Sequence, residues 1–262
     1  MIKAVTSRDN ATFKAMAKLA ASSSERKRRG LSLIEGDHLL AAYLESGERP
    51  VEILVNRAAL ESPAIARLLE RAAPARVMLL GDTLFNALSG VAAPTGVIAC
   101  VRTPLGRNVP PTAPLVLLLE NIQDPGNVGT LLRSAAAAAA GHVVLSPQCA
   151  FAWSPKVLRA AMGAHFAVNI VEGADLEAFA GTYRGTSIAL SADADRALHD
   201  VDLRGPVAFL VGNEGTGLSE ALKAAATLRA RIPMPGRMES LNAGVAGSLC
   251  LFEAVRQREK RE

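Results

Sequence analysis

The sequence predicts an α/β protein in two parts, a small α/β sandwich followed by a larger domain built on a mainly parallel sheet. Three observations predict it. Short apolar runs alternate with helical stretches along the whole chain, the pattern of strands and helices packed in layers. The segment 101–114 holds four prolines and a glycine, which prevents any long regular element and reads as a linker. Beyond it, Leu115 to Leu119 is an unbroken apolar run of the kind buried on both faces of a parallel sheet. The expected divisions are residues 1–101, a linker over 102–114, and a second domain over 115–262.

In the first part, Asp9 to Ala21 reads as a helix with Asp9 or Asn10 available as its cap. The basic cluster Arg26-Lys27-Arg28-Arg29 ends at Gly30. Strands are then expected at Leu31 to Ile34, Val51 to Val55, Arg76 to Leu79 and Gly96 to Val101. Helices alternate with them at Gly36 to Glu45, Pro63 to Ala72 and Asp82 to Leu88.

In the second part, strands are expected at Leu115 to Leu119, Val143 to Leu145, Ala167 to Val171, Ser187 to Leu190 and Val207 to Val211, with a short one near Arg231. Helices are expected from about Val128 to Ala140, near Lys156 to Met162, at Leu176 to Tyr183, and at Ala243 to Arg258. In such sheets ligands bind in the loops beyond the carboxyl ends of the strands.

Composition narrows the class. Half of the 262 residues are hydrophobic and 21% are charged, which permits a packed core and argues against global disorder. No apolar run approaches the roughly 20 residues of a membrane span, and the N-terminus lacks the apolar segment of a signal peptide. Cys100, Cys149 and Cys250 stand far apart, as expected of reduced thiols in a cytoplasmic protein. The four histidines are equally scattered, so no metal site is expected. Charge is uneven: residues 1–110 carry 15 Lys/Arg against 10 Asp/Glu, whereas residues 111–262 carry 14 against 15. The excess positive charge of the first half suits an acidic partner, though on charge alone ordinary surface solubility is the favoured reading.

Three loops of the second half carry the chemistry. The first, Glu120 to Arg133, follows a buried strand through a Pro-Gly turn; Asn127 is the expected cap of the next helix, and Arg133 stands just before an alanine run. The second, Val207 to Glu220, holds three glycines around Glu214, and glycine admits positive φ and close backbone approach to a ligand. It lacks the Gly-Lys-Ser/Thr of a Walker loop and reverses the order of a dinucleotide fingerprint. In the third, Pro233 and Pro235 hold an extended segment, Ser240 is the expected cap of the last helix, and that helix opens with a small-residue surface.

In this order and spacing the three loops closely resemble the SpoU/TrmH family of the SPOUT methyltransferase superfamily. An asparagine followed six residues later by an arginine is matched by Asn127 and Arg133. An apolar strand entering Gly-x-Glu-Gly is matched by Gly212 to Gly215, and Ile-Pro-Met followed by Ser-Leu-Asn by Ile232 to Met234 and Ser240 to Asn242. The likeness covers residues 114–258. The first half resembles the family's usual extension, an RNA substrate-binding domain like certain ribosomal proteins, through Leu33 to Leu40 and Val51 to Val55.

The resemblance implies a parallel sheet whose C-terminal segment is threaded into a deep trefoil knot, a homodimer with Ala243 to Arg258 at its interface, and methyl transfer from S-adenosylmethionine to an RNA ribose 2′-hydroxyl. It implies that Gly212, Ile232 and Leu241 contact the cofactor. Arg133 is implied as the catalytic residue, with Asn127, Glu214, Ser240 and Asn242 positioning it, the ribose or the cofactor. Arginine is a difficult base because its pKa exceeds about 12 in proteins, so two roles stay open: activated base, or cation stabilising a developing alkoxide. Arg8, Lys14, Lys18, Arg26, Lys27, Arg28 and Arg29 are the candidate phosphate contacts. Ribosomal RNA is favoured over transfer RNA by analogy with the N-terminal extension.

Two other readings compete. A non-catalytic RNA-binding protein of this fold is opposed by intact Arg133, Glu214 and Ser240-Leu241-Asn242. A doubly wound nucleotide-binding enzyme is opposed by the missing early glycine fingerprint.

Overall fold

The computed structural model describes residues 2–259 and separates, by internal contacts, into two compact units. One runs to Pro104 and also takes in Trp153–Phe166; the other comprises Leu105–Ala152 and the residues from Ala167 onward.

The first unit contains β1 (Lys3–Val5), α1 (Ala11–Ala21), α2 (Ser23–Arg29), β2 (Leu31–Glu35), α3 (Asp37–Glu45), β3 (Glu52–Val55), α4 (Arg57–Leu60), α5 (Pro63–Arg71), β4 (Arg76–Leu80), α6 (Asp82–Leu88) and β5 (Val97–Arg102). Its sheet runs β1-β4-β3-β5-β2. The first three of these are parallel, and β5 is antiparallel to both β3 and β2. Phe13, Met16 and Leu19 recur at helical spacing on α1 and are buried against Leu54, Phe85 and Ile98. Asn10 is the cap of α1, accepting from the Thr12 and Phe13 amides at 2.9 and 3.2 Å. The basic cluster is helical: Ser22 caps α2 and Gly30, at φ +59°, closes it.

The second unit is built on β6 (Leu115–Leu119), α7 (Pro125–Ala137), β7 (His142–Leu145), then, beyond α8 (Pro155–Ala161) of the first unit, β8 (Asn169–Val171), α9 (Leu176–Thr182), β9 (Thr186–Leu190), β10 (Val207–Val211), α10 (Glu220–Ala225), β11 (Leu228–Ala230) and α11 (Ala243–Glu259). Its sheet runs β11-β9-β10-β6-β7-β8 and every pairing is parallel. All five residues of both β6 and β10 are buried, which is why these two central strands read as unbroken apolar runs. Leu119 lies opposite Val211, so the two strands end level and the Glu120 and Gly212 loops emerge side by side.

Much of the proline-rich segment is fastened to this unit. Arg107 exchanges backbone bonds with the Asn169 side chain, each 2.8 Å, and Tyr183 donates to the Ala113 carbonyl at 2.6 Å. No helix among the described residues is long and apolar enough to cross a membrane.

Candidate active site

The loop after β10 is shaped by one glycine and one asparagine. At Gly212 the chain passes so close to its own continuation that a Cβ would lie 2.5 Å from the Gly217 carbonyl oxygen, and closer to the Gly217 carbon and Leu218 nitrogen. The Asn213 side chain holds the turn, its oxygen accepting from the Gly215 and Thr216 amides at 2.8 and 3.2 Å. Its amide donates to the Asn121 carbonyl at 3.0 Å, tying this loop to the one after β6. A second tie joins them: the Glu120 carboxylate accepts from both the amide and hydroxyl of Ser219 at 2.7 Å. Asn121 takes a left-handed φ of +56° and is held by Ser146 through two bonds, 2.9 and 3.0 Å.

The helix bearing Asn127 starts three residues earlier than expected. Pro125 occupies its first turn, where the missing amide hydrogen costs nothing, and Asp124 is the cap, accepting from the Asn127 amide at 2.9 Å. Asn127 is therefore no cap, and its side chain is released for another use. Its amide donates to Glu214, while its oxygen accepts from the Asn242 amide at 2.9 Å. Asn242 in turn caps α11, accepting from the Val245 amide at 3.2 Å, so the capping role expected of exposed Ser240 is also corrected. Three loops distant in sequence thus meet in one chain of hydrogen bonds, Glu214–Asn127–Asn242. The small-residue surface of α11 packs on α7: a Cβ on Gly244 would lie 3.2 Å from both Asn127 Oδ1 and Thr130, and the Ser248 and Ser134 hydroxyls bond at 2.6 Å.

Beside this chain lies a cavity of about 310 Å³, at the carboxyl ends of β9, β10 and β11. Gly212, Glu214, Ile232, Ser240 and Leu241 all line it, and Lys223 is a cation on its wall. Asn127 is bonded to Glu214 on its wall, and Asn242, which bonds Asn127, stands between the lining residues Leu241 and Ala243. Arg133 is outside both groupings. It is exposed on α7, about 1.7 turns along the helix from Asn127 and about 120° round its axis at 3.6 residues per turn, and makes no hydrogen bond or ion pair with the described residues.

Sequence reasoning missed Asn213, Asn121, Glu120 and Asp124. The signal for Asn213 was present: an asparagine just after a glycine in a loop readily folds its side chain back onto the backbone two residues on. Nearby Cys149 donates to the Leu119 carbonyl at 3.2 Å, and burial pushes its thiol up from the ordinary cysteine value.

The cationic candidates of the first unit divide. Arg8, Lys14, Lys18, Lys27, Arg28 and Arg29 are exposed; Lys14 pairs with Asp9 and Arg28 with Glu25, at 2.8 and 2.7 Å. Arg26 is corrected. It is 4% exposed, and its guanidinium donates to the Leu19 and Ala20 carbonyls at the end of α1 and to Ser23. Only Ser22 separates the two helices, so Arg26 falls against the unpaired carbonyls of α1 and caps them.

The SpoU rRNA Methylase family model matches residues 114–252, which include all three loops. The chain belongs to this family. The MRM3-like substrate binding domain matches residues 10–99. An uncharacterized tRNA/rRNA methyltransferase of Synechocystis sp. is 32% identical, over 98% of this chain and 95% of its own. The 23S rRNA (guanosine(2553)-2′-O)-methyltransferase RlmP of Bacillus subtilis is 31% identical, over 87% of this chain and 90% of that one. Among solved structures, the SpoU methyltransferase AviRb from Streptomyces viridochromogenes in complex with AdoMet superposes with a TM-score of 0.87 at 28% identity, covering 97% of this chain and 100% of that one.

Proposed function

We propose that this SpoU family protein transfers a methyl group from S-adenosylmethionine to a ribose 2′-hydroxyl of ribosomal RNA. One observation carries the reading: the cavity at the end of β10 is enclosed by exposed glycine backbone and apolar side chains, and is tied to Asn127 and Asn242 by hydrogen bonds. Relatives named as 23S rRNA guanosine 2′-O-methyltransferases supply the substrate class.

The cavity suits this cofactor. Leu190, Ile232 and Leu241 offer apolar surface for a purine, the glycines 212, 215 and 217 offer backbone groups, and Lys223 and Glu214 offer charge. When bound, the cofactor supplies an electrophilic methyl on a good leaving group. Asn127 and Asn242 hold Glu214 at the cavity wall, and Gly212 lets the loop close tightly around its own turn. Arg133 acts on the ribose side. Among the described residues no carboxylate pairs with its guanidinium, which favours the cation that orients phosphate and stabilises the developing alkoxide over the activated base.

The active form in this reading is a homodimer. Val245, Leu249 and Phe252 are 45–48% exposed and share one face of α11, a stripe suited to a second copy. The C-terminal segment is read as knotted: Gln257 and Arg258 donate to the carbonyls of Val201, Leu203 and Gly205, binding the end of α11 to the loop it would pass through. Three free cysteines, two of them buried, fit a reducing compartment such as the cytoplasm.

The test is methyl transfer from labelled cofactor to unmodified ribosomal RNA by wild type and Arg133→Ala. Loss of a donor of this kind costs on the order of 10²–10³ in rate, with cofactor affinity unchanged. An Arg133→Ala enzyme as fast as wild type would sink the assignment of Arg133.

A further inference from the structure

The first unit holds a separate cavity of about 250 Å³ that the methyl-transfer chemistry does not use. Leu33, Leu88 and Ile98 form apolar wall, and Ala17 and Ala20 of α1 leave room where larger side chains would fill it. Two charged groups stand at its polar side. Glu35, ending β2, accepts from the Gly90 amide at 2.9 Å and from the Ser89 hydroxyl, leaving about two of its four acceptor positions open. Arg159 of α8 is half-buried and makes no hydrogen bond or ion pair with the described residues. A Cβ on Gly90 would lie 2.7 Å from Arg159 Nη1 and 3.7 Å from Glu35 Oε2, so guanidinium and carboxylate flank the same glycine, while the carboxylate's bonds go to Ser89 and Gly90.

A carboxylate only accepts and a guanidinium only donates. A ligand for both must offer adjacent N–H groups on one edge, acceptors on the next, and a flat apolar body between. Guanine does so: N1–H and the 2-amino group face a carboxylate, while O6 and N7 face an arginine. Adenine offers an amino group where the guanidinium needs an acceptor. The volume suits a base and is below that of pockets for larger ligands. We infer that this cavity captures an unstacked guanine base of the RNA substrate, with Glu35 and Arg159 reading its edges. The inference rests on the methyltransferase reading for its RNA, but on the first unit alone for its geometry. Free guanine nucleotide presents the same base, so the test separates the two sources.

The full chain, labelled at alanine methyls, is titrated with the pentanucleotide rAAGAA, its inosine counterpart rAAIAA, and guanosine monophosphate. The expected result is saturable shifts of the Ala17 and Ala20 methyls with rAAGAA, and about tenfold weaker binding of rAAIAA, which lacks the 2-amino group. Glu35→Gln is expected to remove that preference. Arg159→Gln, which breaks no side-chain hydrogen bond or ion pair within the described residues, is expected to weaken rAAGAA about tenfold while leaving the other alanine signals in place. No saturable shift at these methyls, equal affinity for rAAGAA and rAAIAA, or an unaffected Arg159→Gln would each overturn the inference. Guanosine monophosphate binding as tightly as rAAGAA would overturn the RNA source. Cofactor response at Ala243 and Ala246 is followed in the same samples. Its loss with guanine binding intact would strike the methyltransferase reading and spare this cavity, and the reverse pattern would do the opposite.

Discussion

Replacing Gly212 with alanine tests whether the loop after β10 is set by close approach of backbone to backbone. The new methyl would meet Gly217 and Leu218 backbone atoms at 2.5 Å or less, where carbon contacts settle near 3.5 Å, so something must move by about 1 Å. The obstacle is main chain, which has no rotamer to escape into, and the turn is also fixed by Asn213. Overpacking of this kind costs about 2 kcal/mol. For a unit of this size that lowers the melting temperature by roughly 4–8 °C. The displaced strip lines the cavity, so cofactor affinity should fall about thirtyfold if the same energy is lost on binding. Calorimetric titration with S-adenosylhomocysteine and thermal unfolding read both effects. Gly247→Ala is the internal contrast, because its methyl would meet chiefly the flexible tip of Leu131 and gains helix propensity in α11. It should be the milder of the two. If Gly212→Ala bound the cofactor within twofold of wild type and melted at the same temperature, the close-approach argument would be wrong.

Two further outcomes follow, one from burial and one from exposure. The chain has two tyrosines, and desolvation pushes both Tyr43 and Tyr183 up to about 12, so at pH 11 only about a tenth of the native protein's tyrosine should be tyrosinate, where free tyrosine is mostly ionised. The folded values are the raised ones, so their contribution to stability is present below about pH 10 and is lost as pH rises through 12; a native titration midpoint near 10 would contradict the packing described for them. Phe252→Glu should shift the protein towards monomer in sedimentation equilibrium by placing a charge in the exposed α11 stripe. An unchanged dimer, or a wild type that is monomeric at micromolar concentration, would exclude that face as the interface.

Much of this structure was legible because its strongest signals are local. The runs Leu115–Leu119 and Val207–Val211 are central strands with the bounds expected of them, since burial on both faces leaves no polar position. The site's membership was legible from three loops, but its wiring was not. Pro125-Gly126 looks like a turn, yet proline also suits the first turn of a helix, and that choice decides whether Asn127 caps a helix or bonds Glu214. Ser240 and Asn242 are both good caps, and only the structure selects the latter. In the run Arg26 to Arg29 nothing local marks Arg26 as buried, because its partners are carbonyls at the end of the preceding helix. Grouping of Trp153–Phe166 with the first unit depends on contacts far along the chain, as does the strand order β11-β9-β10-β6-β7-β8. Periodicity carries no information on either.

The most direct test of the central claim is to map the methyl group. Unmodified ribosomal RNA is incubated with enzyme and S-adenosylmethionine, digested to nucleosides, and analysed by mass spectrometry beside a reaction with Arg133→Ala. A single 2′-O-methylated nucleoside is expected in the wild-type reaction, reduced at least a hundredfold in the variant. A methyl group on a base, or equal ribose methylation by the two proteins, would contradict it.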